Sequence, residues 1–424
     1  MIHIPDTALK RIVIIGGGFG GLAVANKLNK SNYQVVLIDK YNYHQFQPLL
    51  YQVASAGLEP GSISFPFRKL LGRHKNFYFR LAEVNSILCN DNVIETSIGK
   101  LHYDYLVIAA GTTTNFFGNS IIQKSAVPMK SIEEALLLRN KILCNIEQAI
   151  DCNDPEEKQR LLNIAIVGGG ATGVEVAGAF AEFKKYIKPK DYPELKDTEM
   201  NIFLIEGTDK LLRVMSENSS AYSLKFLQEM GVTVILNKLV ENYENGNVIL
   251  NDGEKIPAET LIWVSGVICN QFENIPKEAV TRGARLISDE YNRLQGYKNV
   301  FVIGDICLQT EEQYPNGHPQ VAPVAIQQGK NVAENFKRML KNKPLKPFHY
   351  KDKGTLATVG RNKAVADIKG IKLSGFPAWA VWMLVHLRSI LGVRNKIEVL
   401  IDWVWSYFTY DKSKRFILFK NNQN

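Results

Sequence analysis

The chain has 424 residues, 46% of them hydrophobic and 22% charged, which excludes a disordered or fibrous polypeptide and leaves room for two or three domains with a large core. Lys and Arg number 51 against 42 Asp and Glu, a net +9 that suggests an anionic partner without identifying it. Five cysteines, at 89, 144, 152, 269 and 307, form no CxxC pair or ordered framework, so a reducing compartment and no metal site are expected.

The first ten residues lack the charged-then-apolar layout of a secretory signal. Arg11–Ile15 reads as a strand running into Gly16-Gly17-Gly18-Phe19-Gly20-Gly21. A small-residue helical stretch, 22–28, follows, then an apolar strand at 34–38 that ends in Asp39. The pattern returns downstream: a strand at 163–167, the turn Gly168-Gly169-Gly170-Ala171-Thr172-Gly173, a helical stretch at 174–183 and a strand at 200–205 ending in Glu206. The acid lies 23 residues after the first glycine in one copy and 38 in the other, where a polar insertion with two prolines, 184–199, accounts for the excess. A third strand, 299–303, runs into Gly304-Asp305.

The turns have a physical reading. The first glycine permits the bend, the second lets backbone N–H groups approach a pyrophosphate, and the third lets helix and strand pack closely. The phosphate then rests on a positive helix N-terminus. The strand-end carboxylate accepts from a ribose diol and repels a 2′-phosphate, so Glu206 favours NAD(H) over NADP(H). A single such turn is a weak signal; two, each with strand, helix and acid, imply two dinucleotide sites, a flavin and a nicotinamide with hydride passing between them.

The tail, 371–424, is of different composition. It holds Trp379, Trp382, Trp403 and Trp405, four of the five tryptophans, and eight basic residues against three acidic ones. Phe376, Ala380, Met383, Leu387 and Leu391 recur at helical spacing, as do Ile397, Leu400, Ile401, Val404 and Phe408. Two amphipathic helices with aromatic flanks and basic ends suit a bilayer interface; a helical pair docked on the protein's own core or at a dimer interface gives the same pattern. No run of about 18 uncharged apolar residues is present, so no membrane span is expected.

In order along the chain, GGGFGG, NYHQFQPLLYQVASAG (42–57), YLVIAAGTTTNFFG (105–118), IVGGGATGVEVAG (166–178), LIWVSGV (261–267), VFVIGDIC (300–307) and the tail VHLRSILGVRNKIEVLIDWVWSYFTY (385–410) resemble the two-dinucleotide flavoprotein reductases, and more narrowly the type II NADH dehydrogenases, single-subunit NADH:quinone oxidoreductases. The resemblance implies an α/β fold with two Rossmann-like dinucleotide-binding domains: an FAD domain, 1–125 and 292–370, split around an NADH domain, 126–291, followed by membrane-anchoring helices, 371–424. It implies FAD at Gly16, Gly18, Phe19, Gly20 and Gly21, with Asp39 on the adenosine ribose. Val84, Ala110 and Gly111 are further FAD contacts, Gly304 and Asp305 meet the ribityl–phosphate part, and Pro48, Gln52, Ala325 and Ile326 lie near the isoalloxazine. NADH falls to Gly168, Gly170, Gly173 and Glu206, with Glu175 near the nicotinamide.

The quinone acceptor, ubiquinone or menaquinone, is implied at Gln327. The family's short AQxxxQ-like motif reads here Ala322-Pro323-Val324-Ala325-Ile326-Gln327, with a proline in place of its first glutamine. Arg361 and Lys363 either reach the flavin or quinone region or form a solvated basic turn. A homodimer, peripheral on the cytoplasmic face of a bacterial inner membrane, is expected; no proton pumping is expected because no segment spans a bilayer, and no nucleic-acid binding because the basic charge concentrates in an apolar-rich tail. Disulfide reductases share the scaffold but need a cysteine pair, and no Cys precedes Cys89. A sulfide:quinone oxidoreductase, using Cys152 and Cys307, and a membrane-associated FAD/NADH redox sensor remain the alternatives.

Overall fold

The computed structural model describes residues 2–71, 75–411 and 414–418. It forms two compact units, Met1–His44 with Phe65–Thr113 and Val267–Asp352, and Gln45–Ser64 with Thr114–Gly266 and Lys353–Asn424.

The first unit is built on a five-stranded parallel sheet in the order Val300–Val302, Tyr105–Ile108, Arg11–Ile15, Gln34–Asp39, Phe77–Leu81. Its strands are continuous apolar runs because both faces are covered. Val13, Ile15, Val36 and Ile38 enter one core cluster, whereas Ile12, Ile14, Val35 and Leu37 enter the other. Helices Phe19–Leu28 and Ala322–Met339 cross closely: a Cβ on Gly329 would lie 2.5 Å from the carbonyl oxygen of Gly20. Pro323 falls in the first turn of the second of these helices, where no backbone N–H is needed and its fixed φ suits the start. That position tolerates the proline found in place of the glutamine.

The second unit repeats the design. Its parallel sheet runs Val127–Pro128, Thr260–Trp263, Ile164–Val167, Ile202–Glu206, Val232–Leu236. Helix Ala171–Glu182 follows the glycine turn directly and starts three residues earlier than the small-residue stretch suggested. The expected insertion is helical for most of its length: a π-turn, Phe183–Ile187, leads into Lys188–Asp191, and a short turn, Pro193–Leu195, follows. An antiparallel sheet, Thr355–Gly360, Lys363–Ile368, Ile371–Ser374, packs against Ala171–Glu182 so tightly that a Cβ on Gly178 would lie 1.6 Å from the Val359 carbonyl oxygen. This seating groups 353–370 with the second sheet, whereas the family resemblance implies a place for it with the first.

The tail forms the two expected helices, Phe376–Ser389 and Val393–Thr409, and no described helix is long and apolar enough to cross a membrane. The second is held near its start by Asn395, whose amide donates to the carbonyls of Gly61 (3.1 Å) and Ser64 (2.8 Å). Near its end, Arg361 donates to the Ser406 and Tyr407 carbonyls and lies over the Tyr410 ring at 3.6 Å. Cations suit helix C-termini, where carbonyls lack intrahelical partners.

Candidate functional site

The carboxyl ends of the first sheet converge on one cradle, as open α/β sheets arrange their ligand crevices. Gly16 has φ +94°, and a Cβ on Gly21 would lie 1.9 Å from the Gly16 carbonyl oxygen. Around Gly18, which starts the helix with no side-chain cap, a Cβ would meet nothing within 4 Å. Asp39 accepts the Gly17 N–H at 2.6 Å and the Tyr41 N–H at 2.7 Å; burial raises its pKa, and these bonds oppose that shift. Gly20 sits against Ile303 and the Ala325 carbonyl, and Ala325 in turn faces Gly304. The Gly304 N–H donates to Gln328 at 2.7 Å, and Asp305 accepts from Thr112 at 3.4 Å. The Ala110 carbonyl accepts from Asn270 at 2.7 Å, beside Gly111. Phe19 meets the buried His44 edge to face at 5.2 Å. Open space at Gly18, an uncapped helix N-terminus and a strand-end carboxylate together fit a dinucleotide.

The second turn has the same geometry. Gly168 has φ +116°, a Cβ on Gly173 would lie 1.8 Å from the Gly168 carbonyl oxygen, and the space around Gly170 is open. Glu206 accepts the Gly169 N–H at 2.5 Å through one oxygen, and the Thr208 N–H (2.9 Å) and hydroxyl (2.8 Å) through the other. This cradle fits a second dinucleotide on the same grounds.

Helix Ala171–Glu182 carries Glu175 one turn in, beyond the reach of the terminal dipole. The side chain is buried into a pocket of about 690 Å³, partly open to solvent, lined among others by Tyr51, Gln52, Ser55, Thr358, Trp382 and Trp403. Desolvation lifts the Glu175 pKa to about 8, so the carboxyl is mostly protonated at neutral pH. The Thr358 backbone N–H and the nearby Trp382 indole favour the charged form but do not reverse the shift. The Trp382 Nε1 makes no geometric hydrogen bond, and the Ser55 hydroxyl is likewise buried and unpartnered. Trp382 stacks on His386 at 4.1 Å, and burial lowers that imidazole to a pKa of about 4, so it is neutral at pH 7. Trp403 donates through Nε1 to the Gln52 carbonyl at 2.7 Å, and the Gln52 amide donates to the Tyr51 hydroxyl at 2.8 Å.

Gln327 belongs to the first unit and spends both amide ends on the Lys351 backbone, donating at 2.9 Å and accepting at 3.1 Å. Arg361 lines the pocket but holds the end of the tail helix, so it is not a solvated turn. Lys363 pairs with Glu229 at 2.7 Å. Pro48 is the middle residue of the turn Gln47–Leu49, just ahead of the helix Leu50–Ala54 that bears Tyr51 and Gln52. Val84 packs on a core cluster, and Ile326 is half-buried next to Ala325. All five cysteines are free; Cys307 is buried with its thiol pKa raised, which disfavours the thiolate a sulfide enzyme needs. Among the described residues no group of three or more His, Cys, Asp or Glu could hold a metal ion. Tyr51, Ser55, Thr358, Trp382 and Trp403 were not singled out as site residues; only Tyr51, beside Gln52 in the FQPLLYQVA stretch, carried a local signal.

Two sheets, each with a glycine cradle at its carboxyl end, define the class of two-dinucleotide oxidoreductases, and residues 10–329 match the family model described as pyridine nucleotide-disulphide oxidoreductase. Residues 352–409 match the NDH2 C-terminal domain. The type II NADH:quinone oxidoreductase Ndh of Mycobacterium tuberculosis is 34% identical over 418 residues, covering 94% of this chain and 88% of its own. The type II NADH:quinone oxidoreductase of Haemophilus influenzae is 30% identical over 392 residues, covering 85% and 87%. The chain belongs to the type II NADH:quinone oxidoreductase family. In fold it is similar to NDH2 from Plasmodium falciparum solved in complex with NADH, with a TM-score of 0.88, 24% identity, and 97% and 100% of the two chains covered. The sulfide:quinone oxidoreductase of Aquifex aeolicus shares the fold less closely, with a TM-score of 0.73 at 21% identity over 94% and 95% of the chains.

Proposed function

We propose that the chain oxidises NADH and passes two electrons to a membrane quinone without moving protons across the membrane. The cradle at Gly16, Gly18 and Gly21 holds FAD, and the cradle at Gly168, Gly170 and Gly173 holds NADH, with Glu206 on its ribose. When bound, FAD supplies the hydride acceptor and the two-electron donor of the reaction.

The observation that supports the quinone is the pocket's chemistry. Its wall is aromatic, with the Trp382 indole N–H beside Glu175 and, among the described residues, a buried Ser55 hydroxyl without a partner. A quinone is a flat apolar ring whose two carbonyls only accept hydrogen bonds, so it complements unpartnered donors. Glu175 keeps a proton at its carboxyl beside this pocket at neutral pH, and quinone reduction takes up two protons. The helix Val393–Thr409 exposes Ile397, Leu400, Ile401, Val404 and Phe408, the last 76% exposed, with Arg394 and Lys396 near its start. Such a face suits the cytoplasmic surface of an anionic bilayer, where a lipid-dissolved acceptor is found. A homodimer would give a doubled mass in sedimentation.

Anaerobic stopped-flow measurement tests the scheme. NADH should bleach the flavin, and a ubiquinone or menaquinone analogue should restore its colour. Glu175→Gln should slow the second phase and spare the first. A flavin that stays yellow with NADH, or equal slowing of both phases, overturns the reading.

A further inference from the structure

Three side chains of the pocket wall are joined in a sequence whose donor–acceptor direction is forced. An indole Nε1–H only donates, so the Gln52 carbonyl oxygen must face Trp403, 2.7 Å away. The Gln52 NH₂ group is thereby turned to Tyr51, whose hydroxyl oxygen accepts at 2.8 Å. The hydroxyl's own hydrogen must then find a different acceptor. Among the described residues none takes it, and Tyr51 lines the pocket.

We propose that Tyr51 donates a hydrogen bond to a carbonyl oxygen of the quinone, and that Trp403, acting through Gln52, is the positioning residue that fixes this direction. The inference rests on the quinone reading of the pocket and adds the residues that orient the ring. Burial keeps the phenol protonated well above its ordinary range, so the donor persists at all working pH values. The titratable and charged groups around it are Glu175, Glu182 and Arg361, with the neutral His386 behind Trp382. Trp403 lies on the helix whose neighbouring Val404 and Trp405 are exposed, so the same element that offers an apolar face outward orients a hydrogen bond inward.

The test uses the flavin-loaded full chain and a water-soluble short-chain ubiquinone analogue, so that attachment to lipid does not enter. Tyr51→Phe should lower kcat/KM for the quinone about tenfold, the worth of a buried hydrogen bond, with the rate of flavin reduction by NADH unchanged. Trp403→Phe should lose about three- to fivefold in the same parameter, and the double variant should be no worse than Tyr51→Phe alone. Gln52→Glu keeps the shape but offers only acceptors, so Tyr51 would donate to the new carboxylate and the quinone should lose as much as in Tyr51→Phe. If Trp403→Phe fails to fold, as thermal unfolding and flavin content will show, Gln52→Glu decides alone. Silence or additivity of Trp403→Phe, or a silent Gln52→Glu, overturns the relay while leaving the pocket standing. Silence of Tyr51→Phe as well overturns the quinone reading itself.

Discussion

The two glycine cradles are nearly superimposable in their local logic yet differ in what the following helix presents. Each has a positive-φ first glycine, open space at the second, a third packed on the first carbonyl, and a strand-end acid taking the N–H of the glycine in between. Seven residues after the first glycine, one helix carries Ala23 and the other Glu175. Ala23 lies against Gly329 of a packed helix, whereas Glu175 faces a pocket and keeps its proton near neutrality. Similar glycine bends therefore recur in the two units, while one buried carboxyl on the following helix sets the second apart.

The largest test of this contrast is steric. Gly21→Ala would put a Cβ 1.9 Å from a backbone oxygen that cannot retreat, so the purified protein should lack flavin absorbance altogether. Gly173→Ala carries the same clash, at 1.8 Å, in the other cradle. It should keep its yellow colour and lose about ten- to a hundredfold in NADH affinity by titration, since overpacking costs about 1–3 kcal/mol. Loss of flavin from Gly173→Ala would show that the two cradles are not independent.

Glu175→Gln comes next, through its effect on stability. A carboxyl whose folded pKa lies near 8, against about 4.5 unfolded, binds more protons when folded, so its contribution falls as pH rises between those values. The glutamine variant should therefore gain melting temperature over the parent at pH 8 and little at pH 5. A gain independent of pH would place the carboxyl in water. The smallest effect belongs to Lys363→Ala. It removes an exposed pair with Glu229 and should leave melting temperature and both flavin half-reactions unchanged.

Much of the frame was legible in the sequence, because strands, glycine bends and terminal acids are local and repeat. The Gly16 and Gly168 turns, Asp39, Glu206, and both tail helices stand where spacing put them. The pocket was not legible. Its wall draws Tyr51, Glu175, Thr358, Trp382 and Trp403 from five separate elements, and no periodicity links them. Gln327 stands in a motif position, and its amide is held at both ends by the Lys351 backbone, a contact that no local pattern announces. Arg361 shows the converse, a basic turn whose charge serves a helix end more than forty residues downstream.

The greasy side of the Val393–Thr409 helix has a practical corollary at the bench. Ile397, Ile401, Val404 and Phe408 present aliphatic and ring carbon straight to water, and two molecules meeting there would hide it from solvent. Extraction should need a mild detergent, and dilution below its micelle concentration should turn a clear yellow solution turbid.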